Sequence, residues 1–248
     1  MRSDLHLVPS DSDAASTHPS LARNRILSQL PRAELRLIAE KGEEISAGLR
    51  EVFFEEGERL DHVYFPLSGM ASLVTPLEDG GMVEAMAVGS QGFVGLTVLH
   101  EANVSGYKGI CQIDGEFLRL TSESFKTIVD RSPELRRHLL RYSEFCQQTI
   151  AQWAACNSVH LIEQRCARWL MVTADAVGQS SFTLTQEFLS QMLAVRRPGV
   201  TVAVGALQRR GLISHRYGKV TVIDEAGLRK AACECYHKVR ERAATLLT

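Results

Sequence analysis

Six basic side chains lie in one stretch of the chain that has no acidic residue. Residues 188–223 contain no Asp or Glu, whereas the whole chain has a net charge of −1, so the remainder is acidic. Guanidinium and ammonium groups at this density bind phosphate, and an arginine can also donate two hydrogen bonds to a guanine edge. Because a merely solvated surface usually has acids interleaved, the pattern favours nucleic-acid binding. The six residues are Arg196, Arg197, Arg209, Arg210, Arg216 and Lys219.

The six cysteines form neither a CxxC pair nor a disulfide-rich spacing. We expect reduced, mostly structural thiols. Cys233 and Cys235 are one residue apart, which on a continuous helix points them roughly 200° apart. We therefore predict no metal site there unless the helix is broken. Redox sensing through Cys146, Cys156 or the Cys233–Cys235 pair is an alternative. The full set is Cys111, Cys146, Cys156, Cys166, Cys233 and Cys235.

No group of residues has the spacing of a catalytic centre. His62 and His100 are isolated, without the clustered His and carboxylate ligands that a small metalloenzyme barrel needs. We therefore expect no enzymatic activity. No apolar run approaches the ~18 residues of a membrane span, and residues 1–20 are polar, unlike a secretory signal. We expect a disordered tail over 1–20 and a cytoplasmic protein without membrane contact.

The basic stretch coincides with a pattern of two helices joined by a tight turn. Thr185 can cap the first helix, and Ala194 supplies the small residue that a helix-turn-helix needs in its turn. Pro198 suits the start of the second helix. The run 200–202 is β-branched and by itself favours a strand, but the apolar spacing i, i+3, i+4, i+7 continues to Leu207 and predicts a helix. Residues 212–215 and 219–223 predict a hairpin, the wing, around Tyr217 and Gly218. The inner faces are Phe188, Leu189, Met192 and Leu193 on the first helix and Val200, Ala203, Val204 and Leu207 on the second.

The chain before this pattern predicts short helices between 21 and 41, a β domain and then one long helix. Short β-branched or aromatic runs separated by glycines favour an antiparallel β-roll, with strands at 52–54, 62–65, 71–74, 83–87, 107–113 and 116–120. After Pro133, apolar positions step by 4, 3, 4, 3, 4, the spacing of a coiled-coil seam. Packing within the chain can also explain this stripe, but a long connector favours a parallel homodimer. The predicted dimer seam is Leu135, Leu139, Tyr142, Cys146, Thr149 and Trp153.

These elements predict an α+β protein of several units. We expect the tail at 1–20, the β-roll with flanking helices at 21–130, and the long dimerisation helix with its hinge at 131–157. The hinge is predicted at Cys156 and Asn157, and a helix over 159–176 follows it. A winged helix-turn-helix at 158–227 and a C-terminal helix at 228–248 complete the chain.

The order of these units resembles the Crp/Fnr family of transcription regulators over about residues 25–227. The resemblance rests on the segment Leu-Thr-Gln-Glu-Phe-Leu-Ser-Gln-Met-Leu-Ala-Val-Arg-Arg at 184–197, followed by Val200, Leu207 and Gly-Leu-Ile at 211–213. The family places the second helix of the motif in the major groove. The resemblance implies that Arg197 reads guanine, with Arg196 and Thr201 beside it on the exposed side. Pro198 and Val202 occupy positions where the family has Glu and Arg, so a different DNA sequence is expected. Phosphate contacts are assigned to Thr185, Gln186, Gln208, Arg209 and Lys219.

The β domain resembles the cyclic-nucleotide-binding domain of the same family. Its recognisable pieces are residues 53–58 and 63–69. Members that bind cyclic AMP use a Gly-Glu pair and an Arg-Ser pair, whereas here Leu96 replaces the acid and Lys108 is the basic residue near Ser105. No cysteine precedes Cys111, which excludes the family's N-terminal iron–sulfur ligands. No cofactor is predicted with certainty, and the effector is unknown. The candidate effector pocket is Phe93, Val94, Gly95, Ser105 and Tyr107.

The resemblance implies a homodimeric regulator that binds a pseudo-palindromic site on double-stranded DNA and works with RNA polymerase. Its sensor domain lacks the usual phosphate-binding residues for cyclic AMP. Two alternatives concern the input signal: a redox response through cysteines, or a cyclic nucleotide or dinucleotide held in an atypical pocket.

Overall fold

The computed structural model describes residues 19–78, 80–102 and 104–247, so the predicted tail lies almost wholly outside the described residues. Two 3-10 turns (Leu21–Arg23 and Leu27–Gln29) precede helix α1 (Arg32–Lys41). Pro31 stands immediately before α1, where its missing N–H is not needed. The N-terminal region therefore consists of short helices, as its apolar spacing predicts.

The β domain consists of seven strands in two antiparallel sheets. One sheet has the order β1-β7-β3 and the other β2-β6-β4-β5. The six predicted strands are present, and β1 was missed because its residues are polar and mostly exposed. Gly69 makes the turn into β4 at φ +69°, and a Cβ there would lie 2.5 Å from the Ile113 carbonyl oxygen. The strands are β1 (Glu43–Ala47), β2 (Val52–Phe54), β3 (His62–Pro66), β4 (Met70–Pro76), β5 (Met82–Val88), β6 (Lys108–Ile113) and β7 (Gly115–Thr121).

Helix α2 (Leu96–Leu99) interrupts the β domain, and α3 (Ser122–Arg131) leads to the long helix α4 (Pro133–Val159). The Ser132 hydroxyl caps α4 by accepting a hydrogen bond from the Leu135 N–H at 3.0 Å. The hinge expected at Cys156 and Asn157 is wrong, because α4 continues through both residues. The chain leaves the helix at His160, so the break lies a few residues later than predicted.

The predicted dimer seam lies inside the chain. All six of its residues are buried, from fully buried Leu139 and Tyr142 to Trp153 at 7% exposed. The stripe packs on the β domain and on the C-terminal helix α9 (Cys235–Leu246). Because a side chain already covered by its own chain cannot also face a second subunit, the assignment of this stripe to a seam between subunits is corrected. A 3.5-residue period indicates a buried face but not what covers it.

The C-terminal region forms a second domain, and its core cluster also includes Val74 of β4 and Ile110 of β6. Helix α7 is helical despite its β-branched run, and its inner face is buried against α5. The wing has a third strand, β8, that was not predicted, in the order β8-β10-β9. The predicted single C-terminal helix is two helices separated by residues 232–234. The elements are α5 (Ile162–Val177), β8 (Ser181–Thr183), α6 (Gln186–Met192), α7 (Arg197–Arg209), β9 (Ile213–Arg216), β10 (Lys219–Val222), α8 (Glu225–Ala231) and α9.

Within residues 19–78, 80–102 and 104–247, no helix is both long enough and apolar enough to cross a membrane.

Truncation of the inner face of α4 tests the corrected role of the stripe. Leu139→Ala should lower the free energy of unfolding by about 2–5 kcal/mol, because Leu139 is fully buried in the core. Urea titrations at several protein concentrations measure this loss, which should not depend on concentration. Leu49→Ala removes a partly exposed leucine and should cost far less. A loss that shrinks as the protein concentration rises would instead point to an interface between subunits.

Candidate functional site

Helix α6 begins at a side-chain cap that holds the first turn of the motif. The Thr185 hydroxyl oxygen accepts a hydrogen bond from the Phe188 N–H at 3.1 Å. Phe188 and Leu189 are buried in the core of this domain, whereas Thr185 itself is exposed. The cap thus leaves a polar helix N-terminus at the surface, where backbone N–H groups and the helix dipole favour an anion.

The turn between α6 and α7 is held from behind by a buried arginine. Ala194 has φ +51°, a left-handed conformation that is unusual for a residue with a side chain. The guanidinium of Arg165, on α5, donates a hydrogen bond to the Leu193 carbonyl oxygen. This contact fixes the end of α6, and the turn then delivers Arg196 and Arg197 to the start of α7.

The three predicted base-reading residues lie together at the exposed N-terminal end of α7. Arg196, Arg197 and Thr201 are all exposed, with 67% of the Arg197 side chain accessible. The Thr201 hydroxyl can donate to the Gln186 Oε1 at 2.7 Å or to the Arg197 carbonyl oxygen at 3.1 Å. The Arg197 Nε is 4.0 Å from the Glu187 carboxylate. Gln186 and Glu187, in the first turn of α6, therefore restrain the side chains of Thr201 and Arg197.

The predicted phosphate-binding residues fall into two groups. Thr185 and Gln186 lie at the start of α6, and Lys219 is exposed on β10, next to Gly218, whose carbonyl accepts a hydrogen bond from the Leu184 N–H. Gln208 and Arg209 lie at the far end of α7, roughly 18 Å from its first residue at 1.5 Å per residue. One phosphate cannot contact both groups, and Gln186 is already hydrogen-bonded to Thr201.

Two residues of this surface have roles that the sequence did not indicate. Tyr217 is fully exposed at the wing tip, with φ +52°. The sequence predicts Tyr217 as a turn residue, and its place next to Gly218 in the hairpin is the signal for its exposure at the wing tip. Arg210, counted in the basic stretch, is committed to an ion pair with Glu163 at 2.6 Å that ties α7 to α5. Val202, the suggested apolar contact, is 69% exposed on the same helix.

The candidate effector residues of the β domain lie on two separate segments. Phe93 and Val94 are buried, and the Phe93 ring stacks on Phe65 at 5.4 Å between ring centroids. Ser105 is also buried, and its hydroxyl oxygen bonds to the backbone of Tyr107. Phe93 and Val94 are therefore core residues, which weakens their predicted role as the lining of an effector pocket.

A cavity of about 520 Å³ lies elsewhere, between the β domain, α4, α5 and α9. Its volume is within the range of small-molecule sites. Its polar groups come from segments far apart in sequence, so no local pattern could have predicted it. The side chains that define it include Glu84, Trp153, Arg168, Trp169, Asp175 and Tyr236.

Glu84 in the wall of this cavity links the two domains. Its carboxylate accepts hydrogen bonds from the Trp169 Nε1–H at 2.9 Å and from the Ser72 hydroxyl at 2.6 Å. Burial raises the pKa of the Glu84 carboxyl above its ordinary value, although both hydrogen bonds and Arg168 act in the opposite direction. The link from β5 to α5 therefore contains a titratable group whose ionised form is partly desolvated.

Comparison with known proteins agrees with this two-domain arrangement. Residues 44–132 match the family model of the cyclic nucleotide-binding domain, and residues 164–231 match that of the Crp-like helix-turn-helix domain. The comparison with curated proteins gave no match.

Among solved structures, the fold is similar to that of a CRP-family transcriptional regulator from Thermus thermophilus, with 20% identity, a TM-score of 0.65 and coverage of 77% of this chain and 96% of that chain. FixK2 from Bradyrhizobium japonicum matches with 15% identity, a TM-score of 0.66 and coverage of 77% and 98%. The c-di-GMP responsive global regulator of Xanthomonas campestris matches with 15% identity, a TM-score of 0.64 and coverage of 77% and 99%.

Neutralising Glu84 tests the titratable link between the domains. Because the folded-state pKa is raised, the favourable contribution of Glu84 is complete below its ordinary pKa of 4.5 and is lost as the pH rises through the folded-state value. Glu84→Gln stays neutral and can still accept from Trp169. Its stability relative to the unchanged protein should therefore increase from pH 4 to pH 7 in urea titrations.

The matched control is Glu40→Gln, at an exposed position on α1, which should show no such trend. A stability difference for Glu84→Gln that is flat or falls with pH would contradict the prediction. It would mean that Ser72, Trp169 and Arg168 fully compensate the burial.

Proposed function

Because the chain is a Crp/Fnr-type DNA-binding transcription regulator, with a cyclic nucleotide-binding-type domain before a Crp-like helix-turn-helix, we propose that it binds a pseudo-palindromic DNA site as a homodimer. In this proposal α7 enters the major groove and reads bases through Arg196, Arg197 and Thr201. The wing and the first turn of α6 contact the backbone.

The observation that carries this proposal is the division of α7 into a buried and an exposed face. Val200 and Leu207 are fully buried, while Arg196, Arg197 and Thr201 are exposed where the helix begins. A recognition helix contacts base edges with its N-terminal residues. Arg197 there can offer two donors to guanine O6 and N7, and exposed Val202 suits contact with a thymine methyl group.

Phosphate contacts are proposed for Thr185, Gln186 and Lys219 on one side and for Gln208 and Arg209 on the other. The separation of roughly 18 Å along α7 supports contacts with phosphates on opposite sides of the groove. These contacts position the protein on DNA but do not contribute to sequence specificity. Tyr217, at the wing tip, adds an exposed side chain on the Lys219 side.

Homodimerisation is proposed through the face of α4 opposite the buried stripe. Its exposed positions step by 3, 4, 3, 4, 3, 4 from Arg137 to Ser158, the spacing that a two-stranded coiled coil requires. Leu140 is 48% exposed there, and two alanines further along allow close approach of a second helix. This outer stripe consists of Arg137, Leu140, Glu144, Gln147, Ala151, Ala154 and Ser158.

The sensor domain is proposed to lack the usual contacts for cyclic AMP. Leu96 stands where the resemblance expects the acid that binds the ribose. Lys108, the basic residue near Ser105, is paired with the Glu55 carboxylate at 2.9 Å. A cyclic phosphate would therefore have to compete with Glu55 for this lysine. The effector itself stays unassigned.

Arg197→Ala tests base reading. On an operator obtained by selection from random DNA, affinity should fall by about 1–3 kcal/mol, or roughly 5–150-fold, with relaxed preference at one base pair per half-site. Fluorescence anisotropy on the operator and on single-base variants measures both effects. Lys219→Ala should instead weaken operator and random DNA equally and flatten the salt dependence.

Arg36→Ala, on exposed α1 of the other domain, is the control and should change neither quantity. Equal losses for Arg197→Ala on operator and random DNA would assign this residue to phosphate rather than to a base.

Leu140→Glu tests the outer stripe. Two carboxylates facing each other across a symmetric helix pair should repel, so sedimentation velocity should show a shift from dimer to monomer. Footprints on DNA should lose their second half-site, expected about 34 Å from the first. Leu77→Glu changes a leucine that is also 48% exposed but lies after β4, and it should leave the dimer intact. An unchanged dimer in Leu140→Glu would exclude this face.

A further inference from the structure

Three cysteines and a histidine meet where α4 ends and where α8 gives way to α9. The Sγ atoms of Cys156, Cys233 and Cys235 and a ring nitrogen of His160 all lie within 4.8 Å of one another. The three cysteines are buried free thiols, and His160 is partly buried. The DNA-binding residues and the interdomain cavity do not use any of these four side chains.

The local backbone explains why these four side chains converge. Cys156 lies in the last turn of α4, and His160, four residues later, is the residue at which the chain leaves the helix. The expectation that Cys233 and Cys235 point apart assumed a continuous helix. The chain is not helical at 232–234, and α9 begins at Cys235, so the condition stated for joint ligation is met.

Two of the distances in the cluster are close to those between the ligands of one tetrahedral ion, and all are within 4.8 Å. The Cys156 and Cys233 Sγ atoms are 3.4 Å apart, and the Cys235 Sγ is 3.7 Å from the His160 Nδ1. Sulfur and nitrogen ligands at ~2.3 Å and ~2.0–2.1 Å from Zn²⁺ lie roughly 3.5–3.8 Å from one another. Three cysteines and one histidine are a common ligand set of structural zinc sites, in which no position stays open.

The groups around the cluster orient these ligands. The other ring nitrogen of His160, Nε2, lies 3.0 Å from the Glu234 carboxylate. This is the carboxylate–histidine arrangement that fixes the tautomer and leaves Nδ1 free to bind a metal. The Gln152 side-chain amide donates a hydrogen bond to the Cys235 Sγ at 3.1 Å. Both contacts favour a ligating rather than a randomly oriented donor set.

Two buried arginines accompany the cluster. Arg168 and Arg165 are 5% and 6% exposed, and Arg165 donates a hydrogen bond to the Leu193 carbonyl oxygen. The charge of Arg168 acts on both Cys156 and Cys233. Three thiolates with one Zn²⁺ carry a net charge of −1, which one neighbouring guanidinium balances. Arg168 also stacks on Trp153 at 3.9 Å and acts on the Glu84 carboxyl, so its charge is shared among these groups.

We propose that Cys156, His160, Cys233 and Cys235 bind one Zn²⁺ ion as a closed structural site. The ion joins the last turn of α4 to the start of α9, directly beside the break at His160 from which the DNA-binding domain continues. It therefore fastens the C-terminal helix to the long helix at the junction of the two domains, and it has no catalytic role.

Zinc content of the full-length protein is the first test. Protein purified under reducing conditions with added zinc should contain one zinc per chain by elemental mass spectrometry. Co²⁺ in its place should give the visible absorption of a tetrahedral thiolate site. Cys235→Ser and His160→Gln should each lose stoichiometric zinc, and His160 is exposed enough that its variant should fold, as circular dichroism would verify.

Cys146→Ser is the matched control, because this cysteine is also buried on α4 but lies outside the cluster. It should retain one zinc per chain. The proposal is overturned if the unchanged protein takes up no stoichiometric zinc, if Cys235→Ser and His160→Gln retain it, or if Cys146→Ser loses it equally. Failure to bind zinc combined with a Cys156–Cys233 disulfide would assign the pair to redox chemistry instead.

Glu234→Gln tests whether the carboxylate orients His160. Competition with a chromophoric chelator should show zinc affinity lowered by about 10–100-fold while the stoichiometry stays at one. Glu241→Gln, further along α9 and exposed, should have the affinity of the unchanged protein. Equal affinities for Glu234→Gln and the unchanged protein would show that this carboxylate does not orient His160, whose own role as a ligand His160→Gln tests.

Discussion

The inner face of α4 lies between the β domain and α9, and its burial positions both. Tyr142, in the middle of this face, is fully buried, and its ring centroid is 5.6 Å from that of Phe93. The space for it exists because Gly92 has no side chain: a Cβ there would lie 2.2 Å from the Tyr142 hydroxyl oxygen. Further along, Trp153 stacks under the Arg168 guanidinium at 3.9 Å, so α5 is held by the same helix. One helix of 27 residues thus carries contacts to both domains and sets the point at which the DNA-binding domain begins.

The features that could be predicted from the sequence are those encoded in local periodicity. The fold class is confirmed, and so is the helical state of α7, because the inner-face spacing outweighs the β-branched run at Val200. Strand β1 was missed because its side chains are mostly polar and exposed, and β8 because Phe182 is the one apolar residue among its three. Three features depend on residues far apart in sequence. They are what covers the buried stripe of α4, the cavity beside Glu84, and the contact between Cys156 and Cys233. No pattern within one segment contains that information.

The number of basic residues in the stretch 188–223 overstates how many of them are free to contact DNA. Arg210 pairs with Glu163 on α5, so it supports the packing of α7 rather than its outer surface. Glu187 precedes the acid-free stretch by one residue, yet it lies 4.0 Å from Arg197 in the folded chain. Both carboxylates are outside the stretch in sequence but next to it in space. Counting charges along a sequence therefore overestimates the positive surface available to DNA.

Apolar, polar and aromatic contacts all cross between the two domains. Leu189, Val200 and Leu207 are buried in a cluster formed mostly by the C-terminal domain, which also includes Val74 and Ile110 of the β domain. The crossing contacts include the hydrogen bond from Trp169 to Glu84 and the Arg50 guanidinium 5.7 Å from the Phe188 ring centroid. Such contacts depend on protonation and on hydration more than an apolar core does. The contact between the domains therefore has an apolar part, through Val74 and Ile110, and a titratable part, through Glu84.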